Sequence, residues 1–346
     1  MSFISTMGQT QDQIGRLKNL QLQLGTLQTQ ISTGKKSQTL KGLGNDVIIT
    51  KRARADFQKL DSYMLNIDRA NTRIAQMQGG LSTIKTQANN VLDSIVNQTQ
   101  KGDIELDSIR RLADNAYDFI VDTLNLKDGT AFIFAGSDTA SQPIIDSGAI
   151  DAYYADLNAQ WSAGTLPITP PNTTISQEYI SRYRNIPEVT LGLSGTLTDS
   201  KQVYVRADDT VEINYTLKAN NQAMKDILTA VSAMRNISNL DVAPGAAEQE
   251  KQNYFFEVFN DVANLISSAV DKLDVEGFKL STAQAQLNDV RKEHVIEKNT
   301  LLNTISSIED IDLNEAAVKI QSLGVQLEAS YQVTALVSKL SLANYL

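Results

Sequence analysis

The chain has 346 residues, 42% of them hydrophobic, with 31 Lys and Arg against 40 Asp and Glu and a formal net charge of −9. That supports a folded protein of two or three domains rather than a disordered one, and the negative balance argues against nucleic acid as the principal partner. No cysteine and one histidine, His294, exclude disulfides, cysteine nucleophiles and multi-histidine metal sites, and any Ser-His-Asp scheme would depend on that single residue.

Residues 1–9 carry neither a basic segment nor the continuous apolar run of a cleavable leader. No stretch approaches the roughly 20 apolar residues that a membrane helix needs, so membrane insertion is not expected. The expectation is a cytoplasmic protein or one exported by a route that reads other signals. Leu17, Leu20, Leu24, Leu27 and Ile31 then alternate steps of three and four, the seam of an amphipathic helix that ends at Gly34 before Lys35 and Lys36. Leu60, Ile67, Ile74, Leu81, Ala88 and Ile95 recur every seven residues, with Met64 and Leu92 on the alternate seam. They predict a helix of about ten turns, interrupted at most at Gly79 and Gly80. After Gly102, the residues Leu106, Ile109, Ala113, Ala116, Ile120 and Leu124 predict another helix.

The pattern then changes. Pro143, Pro167, Pro170, Pro171, Pro187 and the only tryptophan, Trp161, share one span, beside β-like runs at 131–134, 202–206 and 211–217. A compact, surface-exposed, β-rich domain is expected over 136–217. Beyond it the helical seams return through Phe255, Phe259, Val262, Ile266, Val270 and Leu273, and then through Leu280, Ala283, Leu287, Val290, Leu301 and Ile308. A last seam runs through Leu313, Ala316, Ile320, Leu323 and Leu327 to Val333, Leu336 and Leu340.

The fold class expected is mainly α with a small inserted β-containing domain, the two chain ends forming a long antiparallel coiled-coil or bundle rod. Residues 1–41 hold five Lys and Arg against one Asp, whereas 306–346 hold five Asp and Glu against two Lys. Opposite signs would favour pairing of the ends; solvated helix faces would explain them equally well. Leu336, Val337, Leu340, Leu342, Tyr345 and Leu346 crowd the last residues, and an apolar end of that kind needs a partner. The candidate assembly interface is therefore Leu17, Leu20, Leu24, Leu27, Ile31, Ile320, Leu323, Leu327, Leu336, Leu340, Leu342 and Leu346.

Residues 21–36, residues 308–317 with their continuation to Leu346, and residues 129–139 are three segments that together resemble the bacterial flagellins and hook-associated proteins. Residues 21–36, with Ile31, Ser32, Thr33, Gly34 and Lys35 at their end, are similar to the family's N-terminal helix. Residues 308–317 resemble its acidic entry to the C-terminal helix, which continues through Leu327, Glu328, Ala329, Ser330 and Tyr331 to Leu340–Leu346 as the closing segment. Residues 129–139, containing Phe132, Phe134 and Gly136, are similar to the stretch through which the junction-type members leave their helical domain, where filament flagellins usually differ. The chain departs from the family after Lys36, where Leu40–Asp46 replaces an Asp-Asp-Pro-like turn.

The resemblance implies a secreted, non-enzymatic structural protein of the extracellular flagellum, without cofactor, folding on assembly. It implies passage through the flagellar type III export apparatus with an export chaperone and no cleaved leader. The partners implied are further copies of the chain and homologous axial proteins, namely hook-associated proteins and flagellin. It also implies that 1–44 with 306–346 form an inner tube and 45–135 with 218–305 an outer one, the insert facing solvent.

His294 continues the seam from Val290 and reads as a packing residue. Asp208 and Asp209 precede a β-like run and read as a tight turn, since no ligands at calcium-loop spacing accompany them. Asp103, Glu105 and Asp107 read as helix N-terminal charges favoured by the dipole. Gly42 and Gly44 lack the strand and Gly-Lys-Ser/Thr of a phosphate loop. Trp161, Tyr153, Tyr154, Tyr179 and Tyr183 suit either a small core or a carbohydrate-stacking surface, the latter making the insert a glycan- or receptor-binding module.

Overall fold

A computed structural model describes residues 2–101, 104–237 and 247–343. The chain falls into two compact units, 1–62 with 293–346 and 63–292. Each contains part of two long helices, α2 (Val47–Lys101) and α8 (Glu248–Glu309).

In the first unit the terminal helices α1 (Ser2–Thr33) and α9 (Leu313–Ala343) pair antiparallel. Gln21 Nε2 donates to the Tyr331 hydroxyl at 2.9 Å, and at the other end Ile311 N–H donates to Gly34 O at 3.0 Å. Gly34 has φ +69°, a left-handed turn that stops α1 at little cost for glycine. The Asp312 carboxylate caps α9, accepting from Asn314 N at 2.9 Å and Glu315 N at 3.2 Å. Between α1 and α2 a 3-10 segment, Leu40–Asp46, occupies the stretch where the family motif is replaced.

The second unit is built on the antiparallel pair made by α2 and α8. Asn71 pairs with Asn288 at 3.0 Å, Gln78 with Ser281 at 3.1 Å and Lys85 with Asp274 at 2.7 Å, so each advance of seven residues on α2 meets a retreat of seven on α8. The predicted heptad stripe is the buried one: Ile67, Ile74 and Ala88 are wholly buried. Helix α2 continues through Gly79 and Gly80 without interruption. Gly80 is used for close approach, since a Cβ there would lie 2.8 Å from Phe134 Cζ and 3.2 Å from Thr123 Cγ2. Phe134 thus docks on bare backbone at the turn out of α3 (Leu106–Leu124), just after the two-residue antiparallel ribbon β1 (Lys127–Asp128) and β2 (Ala131–Phe132).

The insert contains more helix than the β-rich expectation. Helices α4 (Ala149–Ala163), α5 (Ile175–Arg184) and the short α6 (Thr196–Asp199) accompany a single three-residue hairpin, β3 (Tyr204–Arg206) with β4 (Glu212–Asn214). Ile150, Tyr154, Leu157 and Trp161 are buried at helical spacing on α4, which drives that face inward as strand alternation would not. Trp161 and Tyr179 meet edge-on with centroids 4.7 Å apart, and Tyr179 meets Tyr183 at 6.0 Å. Trp161, Tyr154, Tyr179 and Tyr183 are all buried, so they are core and offer no stacking surface. Helix α7 (Gln222–Asn236), buried almost all round, packs on α3 and α4.

Candidate assembly interface

Leu17, Leu20, Leu24, Leu27 and Ile31 line the side of α1 that meets α9, yet each stays only half-buried. On α9, Leu323 and Leu327 are buried and Ile320 is half-buried. Two helices cannot surround their own seam, and a cleft of about 540 Å³ stays open beside Leu22, Leu27 and Leu323. Leu336 is exposed, away from the seam. Leu340 and Leu342 are in α9, but their side chains, like Leu346, are outside the described residues.

Helix α9 has a second apolar stripe that the seam analysis missed. Val318, Val325 and Leu336, spaced by two and three whole turns, are 68%, 65% and 60% exposed. They project from the side of α9 opposite Ala316, Leu323 and Leu327, which face α1. Leu22 on α1 is likewise 61% exposed. The sevenfold step from Val318 to Val325 was the available signal, masked by the stronger seam beside it.

Where the terminal pair begins, four charged residues form a latch. Lys35 Nζ lies 2.5 Å from Asp310 and 3.5 Å from Glu309, whose buried carboxylate also takes Arg54 Nη2 at 2.6 Å and Arg54 Nε at 2.9 Å. The two-pronged guanidinium contact fixes direction as well as charge. The Arg54 hydrogen bonds hold Glu309 below its ordinary value, and the Lys35 hydrogen bond does the same for Asp310. Asp310 in turn raises Lys35. Opposite charge at the two ends is therefore used at this joint. Arg54 was not foreseen, because nothing local in sequence ties it to an acid so far along the chain.

The remaining candidates have structural places. His294 is buried, as a packing residue should be. Asp209 accepts from the Tyr63 hydroxyl at 2.7 Å and pairs with Arg206, holding the bend after β3. Asp107 is in the first turn of α3 and Glu105 at its N-cap position, while Asp103 is outside the described residues. Gly42 and Gly44 are in the 3-10 segment.

The architecture defines a mainly α-helical protein whose chain ends pair with one another and leave a further apolar face uncovered. Residues 263–346 match the bacterial flagellin C-terminal helical region. The C-terminal quarter of the chain is thus similar to the helical region that closes bacterial flagellins. No curated protein matches the chain in sequence. One similar solved chain, assigned as a flagellar hook-associated protein of Vibrio parahaemolyticus, is 10% identical over 76% of this chain and 97% of its own, with a TM-score of 0.46.

Proposed function

We propose that this chain is the hook–filament junction subunit, hook-associated protein 3, and that it polymerises through its terminal helices. The observation that carries the assembly mechanism is the double-faced α9. One stripe is spent on α1, and Val318, Val325 and Leu336 stand exposed for a neighbour. Burying such side chains contributes roughly 1.5–3 kcal/mol each, and repetition around a ring of subunits multiplies the gain without any catalytic group. The junction role is favoured by the resemblance of residues 129–139 to the stretch through which junction-type members leave their helical domain.

In this reading 1–44 with 306–346 form the inner tube, 45–135 with 218–305 the outer one, and 136–217 faces outward. The subunit reaches the outside through the type III export apparatus, escorted by a chaperone, and is extracellular. Deleting residues 1–30 or 316–346 tests the mechanism: the expected product is a soluble, folded middle that does not polymerise, and normal assembly of either truncation contradicts it. Copies per flagellum separate the junction role from that of filament flagellin, a ring's worth indicating the first and thousands the second.

A further inference from the structure

Between α2 and the β3–β4 hairpin, within the second unit, lies a cavity of about 550 Å³ that the scaffold role does not use. Arg69 and Arg73, one turn apart on α2, face Tyr204 and Arg206 of β3 and Tyr215 just beyond β4; Asn66 and Asp128 complete the polar lining. Like charges at i and i+4 destabilise a helix, and here the expected compensation is missing. Arg73 Nη2 donates only to the backbone carbonyls of Phe132 and Ile133, each at 3.0 Å, while its buried Nε has no acceptor. No hydrogen bond or ion pair engages Arg69 among the described residues. Arg206 is already turned toward Asp209 at 3.4 Å, so the two α2 guanidinia carry the uncompensated charge.

The walls add shape to that charge. The Tyr204 ring is 52% exposed and its hydroxyl is tied to Gln202 Oε1 at 2.6 Å, which fixes the ring edge. Tyr215 is half-buried; burial pushes its phenol up, with the Arg73 charge opposing. Asp128 disfavours a bare polyanion but accepts well from hydroxyls, as does the Asn66 side chain. A ring with one carboxylate, several hydroxyls and an apolar face satisfies every wall.

The geometry points to a binding site for a carboxylate-bearing saccharide of the uronic-acid type. Arg69 and Arg73 clamp the carboxylate, Tyr204 and Tyr215 cover the ring face, and Asp128 and Asn66 take ring hydroxyls. The cavity has the size of a small-ligand site. The role is independent of polymerisation.

Calorimetric titration of the full-length chain with glucuronic acid, and with methyl glucoside as the uncharged counterpart, tests it. The expected result is saturable uptake of the uronate with a Kd on the order of 1 mM, at least tenfold tighter than for the neutral sugar. Arg69→Gln, which breaks no side-chain hydrogen bond or ion pair among the described residues, is expected to remove that preference, and Tyr204→Ala to weaken both sugars, with polymerisation intact in each variant. Equal binding of the two sugars, no binding of either, an unchanged preference in Arg69→Gln, or tighter binding of inorganic phosphate than of the uronate each overturns the assignment.

Discussion

The two units solve the same problem, an antiparallel helix pair, with different degrees of closure. In residues 63–292 the α2–α8 pair is roofed by α3, α7 and the insert, and Ile67, Ile74, Ile84, Ala88 and Val91 have no exposure. In the other unit no element among the described residues roofs α1 and α9; Leu17, Leu20, Leu24 and Leu27 stay half-buried and valines face outward. Helical stability comes mostly from packing of an apolar face, so closure decides which pair stands alone. The two units thus differ in closure: one seals its helix pair on every side, and the other leaves its pair open along one face.

The sharpest break of that contrast is in the sealed unit. Ile74→Ala is expected to lower its stability by about 2–5 kcal/mol in denaturant melts, whereas Leu24→Ala, at a half-open seam, should cost about 1 kcal/mol or less in the free subunit. Gly80→Ala forces Phe134 off its seat and is expected to cost about 1–3 kcal/mol with α2 still helical by circular dichroism. In the open unit, Glu309→Gln keeps the shape of the latch but removes its central charge; with Arg54 and Lys35 partly solvated, about 1–2 kcal/mol is the expected loss in thermal melts. Val325→Ser should leave the free subunit within about 0.5 kcal/mol of wild type while raising the critical concentration for polymerisation.

Titration separates the units as well. Glu309 and Asp310 are held below 4.5 and 3.8, so their contribution is complete above those values and disappears as pH falls through the lowered ones. Lys35 is raised above 10.5, so its share is complete below that value and is lost as pH rises through the raised one. The latch is thus expected to loosen at both extremes, read by the fluorescence of a label on α9. In the insert, burial pushes Glu178 up, but bonds from Arg182, Asn172 and Thr169 prevail and bring it down to about 2. Its hold on the loop before α5 should therefore persist as pH falls through the ordinary value of 4.5 and fail only toward 2, which amide exchange at Thr169 would follow.

Much of this contrast was legible beforehand. The stripe from Leu60 to Ile95 could be read because a sevenfold repeat states both the helix and its buried side. The α1 and α9 seams were found the same way, but periodicity says which residues face a partner and not how completely the partner covers them. Gly79 and Gly80 looked like a weak point because the ring that needs Gly80 to be bare belongs to Phe134, distant in sequence. The helical spacing of Ile150, Tyr154, Leu157 and Trp161 is a signal for α4 that lies hidden among prolines and β-like runs. Arg54 was invisible for another reason: its meaning depends on Glu309, brought near only by the fold.

Amide hydrogen exchange, compared between free subunit and polymer, tests the central claim most directly. The account predicts rapid exchange throughout α1 and α9 in the free subunit, slow exchange there after assembly, and slow exchange in both states over α2 from Ile67 to Ile95. Protection of α1 and α9 already complete in the free subunit, or unchanged by assembly, would contradict it.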